Sequence, residues 1–408
     1  MRILYFADIR FPLERANGVQ TMQTSWALAA RGHQVALVVR PDTAVVPRDP
    51  VTFYGLPPHE ELTIVRARVG GPGPVRRLMY LVQACARASG PARADVILTR
   101  DLGLADLLTR LPRSLRSPVV YESHGFAPAV GRELPHLVSG AARATRAKLA
   151  RLRRRERRVW RAADGYVTIT RGLAAELGAA FGDRRQIAVV PDGVRLPDGR
   201  TFAAPVRREP AVVGYAGHLY PWKGVDILLR ALALVADVRG LIVGGHPGEP
   251  DLGALRSLAG ELGLDRRVTF TGAVDPSRVG AALADADILV LPNTETTVSA
   301  RYTSPLKLFE YLAAGRPIVA SNLPALREVL TAGDTAVLVA PGDPGALAAG
   351  IRRVLDDPAM GEGLARRAFE LAADYSWDRR AARLERLLEE VMREPGGRPG
   401  HPAAGSRP

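Results

Sequence analysis

The segment SPLKLFEYLAA contains the residues whose types and spacing best suit the binding of a ligand. Its Ser304-Pro305 pair precedes a helical pattern in which Glu310 falls within the second turn. Proline is favoured in the first turn of a helix, where the backbone amides of Leu306 and Lys307 are free to receive a diphosphate. Glu310 can accept two ribose hydroxyls. The alternative is a buried structural glutamate, because a carboxylate among apolar neighbours needs a partner.

Four further candidate residues follow other apolar runs. His124 ends the run VVYESH, and a histidine there can donate a hydrogen bond into a cleft or change its charge near neutral pH. His218 and Lys223 lie in the loop GHLYPWKG, where a lysine can neutralise the charge that develops on a diphosphate leaving group. Gly18 precedes a helical pattern and lets backbone amides approach a phosphate. A loop histidine, a solvated lysine and a turn glycine are the structural alternatives.

These residues need strands that end at one edge of a sheet. Short runs rich in Val, Ile, Leu and Tyr alternate with longer helical patterns, which is typical of parallel α/β sheets. Ligands of such sheets bind outside the carboxyl ends of the strands, where the candidates lie. The predicted strands of the first half are 3–8, 34–40, 63–69, 95–100, 119–124, 165–170 and 187–191. Those of the second half are 212–217, 240–244, 268–272, 288–292, 317–321 and 336–339.

The alternation divides the chain into two Rossmann-like domains. A single core stops growing near about 250–300 residues, so a chain of 408 residues is expected to have two. Residues 197–210 contain three prolines and no apolar periodicity, and they are the predicted linker between domains 1–196 and 211–376. Residues 377–393 have the pattern of an amphipathic helix that packs back toward the N-terminal domain. Residues 394–408 have too little apolar content to become ordered.

The composition excludes several classes of protein. No window approaches the roughly 18 uninterrupted apolar residues of a membrane span. Cys85 is the only cysteine, which excludes an intramolecular disulfide and a cysteine-based metal site. The loop after the first strand lacks the GxGxxG of a dinucleotide site, which argues against an NAD-dependent dehydrogenase. The N-terminus lacks the pattern of a signal peptide, so a cytoplasmic location is expected.

One segment explains most of the net charge of +14. Residues 143–161 contain ten Lys and Arg against the single Glu156. The apolar residues of this region recur at helical spacing, and they are Leu149, Leu152, Val159, Trp160 and Ala163. The segment is interpreted either as a surface helix docked by this stripe or as a peripheral contact with an anionic membrane surface or lipid-linked phosphate. Nucleic acid is not expected as a partner, because no DNA- or RNA-binding motif accompanies the helix.

The motifs taken together resemble a known enzyme family. In order, GHLYPWKG, GGHPGEP, VTFTGAV and SPLKLFEYLAAGRPIVAS resemble the retaining family 4 glycosyltransferases of the GT-B fold (glycosyl transferases group 1), in particular a subset that carries SPLKLFEY. The resemblance extends over nearly the whole chain through NGV, SHG, VPDGV and YSWDRRAARLE. It implies a donor cleft between two Rossmann-like domains, a nucleoside-diphosphate sugar as donor, no obligatory cofactor or metal, and retention of anomeric configuration.

The resemblance also implies roles for single residues. Gly18 is expected to approach the donor phosphate, His124 to contact the transferred sugar, Lys223 to bind the diphosphate and Glu310 to hold the ribose. His124, Lys223 and Glu310 are the predicted catalytic residues. The backbone of residues 271–274 matches the turn that reads the nucleobase. The complete predicted donor site comprises Gly18, His218, Lys223, Thr271, Gly272, Ala273, Val274, Tyr302, Ser304, Leu306, Lys307 and Glu310.

Two positions depart from the family pattern. Tyr302 stands eight residues before Glu310, where the family usually has a second glutamate that grips sugar hydroxyls, so the sugar is left unspecified. His218 stands where an arginine is usual, and a neutral histidine is a weaker phosphate ligand. We hypothesise that Arg301 or Lys307 compensates.

The expected activity is transfer of a hexose or related sugar to a sugar or lipid-linked acceptor, in polysaccharide or glycolipid synthesis. The N-terminal domain is expected to face the acceptor, at the inner face of the membrane if the basic helix binds there. Two alternatives stay open. A GT-B nucleotide-sugar epimerase needs an added pair of carboxylates for elimination, and a noncatalytic nucleotide-sugar-binding partner is compatible with Tyr302. A dehydrogenase is the weakest alternative.

Overall fold

Two parallel β-sheets form the framework of the protein. The computed structural model describes residues 1–90, 93–197, 199–204, 207–245 and 248–393. The first sheet contains β1 (Arg2–Arg10), β2 (Gln34–Arg40), β3 (Leu62–Arg66), β4 (Val96–Thr99), β5 (Val119–Ser123), β6 (Gly165–Thr168) and β7 (Ile187–Val189). The second contains β8 (Ala211–Ala216), β9 (Val238–Val243), β10 (Val268–Gly272), β11 (Ile288–Leu291), β12 (Ile318–Ser321) and β13 (Val337–Val339). The strand orders are β3-β2-β1-β4-β5-β6-β7 and β10-β9-β8-β11-β12-β13.

Helices connect the strands and cover the sheets. Those of the first half are α1 (Ala16–Ala30), α2 (Pro50–Phe53), α3 (Gly73–Ser89), α4 (Leu102–Leu108), α5 (Ala127–Leu137), α6 (Arg146–Ala162) and α7 (Arg171–Phe181). Those of the second half are α8 (Val225–Ala233), α9 (Asp251–Glu261), α10 (Val279–Leu283), α11 (Leu306–Ala314), α12 (Pro324–Arg327), α13 (Pro344–Asp356), α14 (Pro358–Leu371) and α15 (Trp377–Arg393). A π-helical turn, Val298–Tyr302, precedes α11.

The strands are apolar because both faces of each sheet are covered. In β1, Ile3 and Tyr5 belong to one buried cluster, whereas the alternate residues Leu4 and Phe6 belong to another. Strand side chains alternate between faces, so a strand between two helical layers must be apolar at every position. This requirement explains why continuous apolar runs predicted most of the strands within a few residues.

The last helix returns to the first domain. On α15, Trp377, Leu384 and Leu388 share a buried cluster with Tyr5 and Leu28 of the N-terminal sheet and α1. The apolar face of α15 thus completes the core of the N-terminal domain. The predicted tail, residues 394–408, lies outside the described residues, as do residues 198, 205 and 206 of the predicted linker.

Each domain caps a helical segment of the other. The carboxylate of Glu133 on α5 accepts hydrogen bonds from the backbone amides of residues 297 and 298, both at 3.2 Å. In return, Glu328 beside α12 accepts from the amides of residues 171 and 172 at the start of α7, at 2.7 and 2.9 Å. The first amides of a helical segment have no partner within it, and a carboxylate there satisfies both their hydrogen bonding and the helix dipole. These two contacts hold the domains in a defined orientation.

We expect Gly224→Ala to destabilise the C-terminal domain by about 2–4 kcal/mol. Gly224 has φ of +71° at the start of α8, and a Cβ there would overlap the carbonyl oxygen of Pro292. Chemical denaturation of the two proteins measures the difference. Gly253→Ala is the control, because Gly253 lies in α9 with open space around it, and this change should be neutral or stabilise by up to about 1 kcal/mol. Equal effects at both positions would contradict the packing argument.

Candidate active site

A cavity of about 460 Å³ lies between the two domains, at the carboxyl ends of the strands of both sheets. The N-terminal domain contributes the start of α1, His124 after β5, and Asp192 after β7. The C-terminal domain contributes the loops after β8, β9 and β10 and the start of α11. Of the predicted donor-site residues, those that line it are His218, Lys223, Ala273, Val274, Tyr302, Ser304, Leu306, Lys307 and Glu310.

Lys307 is a buried lysine whose Nζ has no carboxylate at hydrogen-bonding distance among the residues that the structure describes. Its side chain is nearly fully buried, and its Nζ lies 3.7 Å from the centroid of the Tyr215 ring. Among the described residues, Nζ has no hydrogen-bond partner. Burial and the nearby charge of Lys223 hold the pKa of Lys307 well below its usual value, although Glu310 opposes this shift. An anion that entered the cleft here would restore the charged form and satisfy its hydrogen bonds.

Glu310 lies one turn further along α11 and faces the same cavity. Burial raises the pKa of Glu310 to about 7, and the charge of Lys307 opposes that shift. The helix begins at Leu306 with Pro305 as its N-cap, slightly later than the predicted start at Ser304-Pro305. The first free amides of α11, the Lys307 ammonium and the Glu310 carboxyl are thus presented by less than two turns of one helix. This order suits a ligand with an anionic group followed by a hydroxyl pair.

Lys223 faces α11 across the cavity. It ends the short helical turn Pro221–Lys223, and its Nζ lies 3.5 Å from the centroid of the Trp222 ring. Burial lowers the pKa of Lys223 to about 7. The side chain is therefore only partly protonated at neutral pH, and a neighbouring phosphate would favour the charged form.

His218 is oriented by an acidic residue from the next loop. Its Nδ1 contacts the carboxylate of Glu249, and its ring stacks on Tyr220 with 5.1 Å between centroids. Glu249 also accepts a hydrogen bond from the amide of Leu219, at 3.1 Å. A carboxylate on Nδ1 requires a proton on that nitrogen, which fixes the ring. The motif GGHPGEP supplies Glu249, whereas its residues 246 and 247 lie outside the described part of the chain.

The predicted nucleobase turn is only partly in the cavity. Ala273 and Val274 line it, but Thr271 and Gly272 do not. The backbone of Gly272 forms a bridge with Gly244 at the end of β9, and the Thr271 hydroxyl donates to the Gly272 carbonyl at 2.9 Å. Contact of these four residues with a ligand stays a prediction, and Ala273 and Val274 are the two that line the cavity.

His124 belongs to a buried polar network. Its Nε2 lies 2.7 Å from Oε1 of Glu122, which also accepts from Gln20 on α1 at 2.5 Å and from Arg380 on α15 at 2.6 Å. Burial raises the pKa of Glu122, but Arg380 and His124 outweigh this effect and keep the carboxyl ionised. Burial and Arg100 lower the pKa of His124 to about 4, against the opposing effect of Glu122.

The imidazole of His124 is therefore neutral at pH 7, with the proton on Nε2 donated to Glu122. Burial and Arg100 thus disfavour the alternative in which His124 changes its charge near neutral pH. Its Nδ1 is left as an acceptor. The ring borders the cavity with 23% of its side chain exposed, so this nitrogen can accept a hydrogen bond from a ligand hydroxyl.

Gly18 is required by packing. Helix α1 begins at Ala16, so Gly18 lies in its first turn and not before it. A Cβ there would overlap the carbonyl of Leu13 and the hydroxyl of Tyr54, and the Gly18 amide already donates to the Arg15 carbonyl at 2.8 Å. Its neighbours line the cavity but Gly18 does not, so its approach to a phosphate stays a prediction.

The structure distinguishes between Arg301 and Lys307, the two residues hypothesised to compensate for the arginine that His218 replaces. Arg301 is 59% exposed, pairs with Glu176 on α7 at 3.4 Å and does not line the cavity, whereas Lys307 does. Compensation by Arg301 is thus not supported by its position. Tyr302 borders the cavity, but its ring is buried in the aromatic cluster of Phe126 and Trp160.

Asp192 is a cavity residue that the sequence reasoning did not single out. Its side chain is nearly fully buried, and its amide donates to Oγ of Ser304 at 2.9 Å. Burial raises the pKa of Asp192 to about 7, although Arg380, whose Nε lies 3.8 Å away, opposes this shift. It follows β7 in the motif VPDGV, so the rule that ligands bind at carboxyl ends of strands could have found it.

Comparison with known proteins identifies the family. Residues 17–193 match the model of the glycosyl transferase 4-like domain, and residues 210–357 match that of glycosyl transferases group 1. The D-inositol 3-phosphate glycosyltransferase of Mycolicibacterium smegmatis is 30% identical over 95% of this chain and 88% of its own. The chain belongs to the glycosyl transferases group 1 family. It is a glycosyltransferase of the GT-B type.

Other relatives and solved structures support this assignment of the fold. A D-inositol 3-phosphate glycosyltransferase of Corynebacterium glutamicum is 30% identical, but the match spans only 44% of each chain. Sucrose-phosphate synthase of Thermosynechococcus elongatus superposes with a TM-score of 0.74 at 20% identity, over 96% of this chain and all of that one. The Anabaena protein HepE, solved with UDP-glucose, gives 0.72 at 19% identity over 96% and 100%. The prediction of two parallel α/β domains is confirmed.

None of the helices in the described ranges has the length and apolar character to cross a membrane. The same ranges contain no group of three His, Cys, Asp or Glu side chains arranged to hold a metal ion.

The buried network predicts the protonation of His124. By NMR of ¹⁵N-labelled histidine, we expect His124 to stay neutral at pH 6 with its proton on Nε2. Arg380→Gln should raise the pKa of His124, because Arg380 lowers it, and should destabilise the protein by about 3 kcal/mol by removing the cationic partner of the buried Glu122.

Arg379→Gln, an exposed neighbour on α15, is the matched control and should change neither quantity appreciably. The pKa of His124 is lowered below 6.5, so its stabilising effect is present above pH 6.5 and is lost as the pH falls toward 4. Titration of His124 near pH 6.5 in the wild-type protein would contradict the network.

Proposed function

We propose that this glycosyltransferase moves a sugar from a nucleoside-diphosphate sugar to an acceptor with retention of anomeric configuration. The observation that carries the proposal is a pair of lysines on the C-terminal wall of the cleft. Within the described part of the chain, Nζ of Lys307 has no hydrogen-bond partner, Lys223 faces it, and both lysines have lowered pKa values. Burial without a partner disfavours the charged form of a lysine. A bound diphosphate would restore the charged form of both.

The proposed donor pose follows the order of groups along the cleft. The diphosphate lies between the amides at the start of α11 and the ammonium groups of Lys223 and Lys307, where the helix dipole adds to the attraction. The ribose hydroxyls reach Glu310, one turn further on, and the base lies against Ala273 and Val274. The sugar then points across the cleft toward Nδ1 of His124.

The proposed chemistry needs no dedicated base. The bond between the anomeric carbon and the diphosphate oxygen breaks, and positive charge develops on the sugar ring. An acceptor hydroxyl attacks the anomeric carbon from the face that the diphosphate leaves, and its proton passes to a departing phosphate oxygen. Lys223 and Lys307 stabilise the negative charge of that leaving group, which is the kind of electrostatic contribution that dominates many enzymes. Retention follows from attack on the same face.

The acceptor is proposed to be a sugar or a lipid-linked sugar in polysaccharide or glycolipid synthesis, bound by the N-terminal domain. Named relatives include a phosphatidyl-myo-inositol mannosyltransferase of Mycobacterium leprae, 33% identical over 50% of this chain and 55% of its own. The exposed basic side chains of α6 add a proposed peripheral contact with the inner face of the membrane. No metal or other cofactor enters this proposal.

A noncatalytic nucleotide-sugar-binding protein is the second candidate, and the position of Tyr302 is the observation that favours it. Its ring fills the place of a family glutamate and is buried among apolar side chains, so the cleft lacks one carboxylate for sugar hydroxyls. Slow hydrolysis of the donor without acceptor distinguishes the two. An enzyme should release nucleoside diphosphate, whereas a pure binder should release none.

Donor binding is expected to raise the melting temperature of the purified protein by about 5 °C at a hundredfold excess over Kd. A panel of UDP, GDP, ADP, CMP and dTDP sugars should give a clear shift for one base. Glu310→Ala should abolish the shift, because the ribose hydroxyls lose their acceptor. Glu389→Ala, a surface change on α15, should preserve it. Absence of a shift with every donor would contradict the proposal.

Lys307→Met should weaken donor binding about thirtyfold or more while it stabilises the free protein, because it replaces a buried polar amine by an apolar side chain of similar length. Calorimetric titration with the donor found by the panel measures affinity, and chemical denaturation measures stability. Arg301→Ala is the control and should leave affinity unchanged, because Arg301 lies outside the cavity. Unchanged affinity in Lys307→Met would sink the assigned diphosphate site.

A further inference from the structure

The outward face of α3 is apolar, which is the reverse of an ordinary surface helix. Val75, Leu78, Met79 and Val82 recur at helical spacing and are 48%, 62%, 38% and 61% exposed. The opposite face, which includes Tyr80 and Ala84, is buried in the N-terminal domain. A helix normally directs its apolar side chains inward, and a contiguous apolar patch on a surface marks a binding site. We call these four side chains the α3 stripe.

A second exposed apolar group lies in the loop after β2. Val45 and Val46 are 102% and 76% exposed. Arg48 ties this loop to the rim of the cleft, because its guanidinium pairs with Asp42 in the loop at 2.9 Å and also contacts Glu14, which lines the cavity. The valine pair is therefore held beside the mouth of the cleft.

The α3 stripe lies toward the same edge of the sheet. Arg77, on the first half of α3, pairs with Asp101 after β4 at 2.6 Å and with Asp8 near the end of β1. Carboxyl ends of parallel strands meet at one edge, and the cleft opens there. The stripe and the valine pair thus lie on the side of the N-terminal domain at which the cleft opens.

A cationic surface adjoins the stripe. A Cβ at Gly103 on α4 would lie 2.9 Å from Arg77 of α3 and 4.0 Å from Arg155 of α6, so α4 separates the two helices by a single helix width. The apolar side chains of α6 pack inward, with Leu149 and Leu152 over α5. The single acidic residue of this segment, Glu156, is fully buried, so the outer face of α6 is purely basic.

We propose that the α3 stripe and the valine pair insert into an anionic lipid bilayer that carries the acceptor, with the basic face of α6 against the headgroups. Apolar side chains flanked by arginines suit this interface, because burial of the side chains adds to attraction by anionic lipids. A second copy of the chain does not suit it, since two basic faces would repel each other. The inference rests on the proposed function only for a lipid-borne acceptor.

Cosedimentation with lipid vesicles tests the inference on the full-length protein. The vesicles contain either phosphatidylcholine alone or equal parts of phosphatidylcholine and phosphatidylglycerol. The wild-type protein should bind the anionic vesicles and bind the neutral ones much more weakly. Leu78→Gln with Val82→Gln should weaken binding to anionic vesicles about tenfold or more, because two inserting side chains are lost. Arg151→Glu with Arg154→Glu should weaken it by a similar factor and remove the preference for anionic lipid.

Leu234→Gln is the matched control, since Leu234 is 51% exposed after α8 in the other domain and should leave binding unchanged. Wild-type binding by the α3 variant, or no binding by the wild-type protein, would overturn the inference. So would a concentration-dependent dimer that the α3 variant loses, because a second copy would then cover the stripe.

The donor-dependent melting shift separates this inference from the proposed function. All these variants should keep the shift, because none lies in the cleft. A donor-dependent rise in melting temperature without vesicle binding would overturn the proposed lipid-binding surface alone. Vesicle binding without such a rise for any donor would overturn the assigned donor site alone.

Discussion

The fully buried carboxylate of Glu122 is the constraint on which the arrangement of the domains depends. An ionised group without access to water needs several donors, and one oxygen of Glu122 receives them from Gln20 on α1, His124 after β5 and Arg380 on α15. Removal of α15 would leave the carboxylate without its cationic partner. The chain must therefore return to its N-terminal domain through α15. Arg380 then holds Glu122, and Glu122 in turn fixes the ring of His124 at the border of the cleft.

The C-terminal wall of the cleft differs from the N-terminal wall in how its charged groups are compensated. The charges of the N-terminal network compensate one another within the protein, whereas burial shifts the pKa values of Lys307, Lys223 and Glu310 away from their usual values. A folded protein tolerates such groups where function requires them, since a ligand supplies the missing counter-charge. Under the proposed function, the N-terminal wall is preorganised and the C-terminal wall is completed by the donor.

Local patterns predicted the elements well, because strands covered on both faces read as apolar runs and the start of α11 has its proline signal. Contacts between distant residues were not predictable in this way. Glu122 and Arg380 are 258 residues apart, and nothing in either local pattern indicates the other. The packing of Gly18 against Tyr54 and the pairing of His218 with Glu249 are similar cases. The family resemblance located the cleft residues, but not their protonation states.

The exchange of caps between the domains has a mechanical consequence. The carboxylates of Glu133 and Glu328 each accept hydrogen bonds from helical amides of the other domain, at separate points of one interface. A rotation that carries either carboxylate away from its amides breaks that contact, because hydrogen bonds tolerate little extension. A wider cleft reached by such a movement therefore also exposes the first amides of a helical segment in the opposite domain, which water must then satisfy.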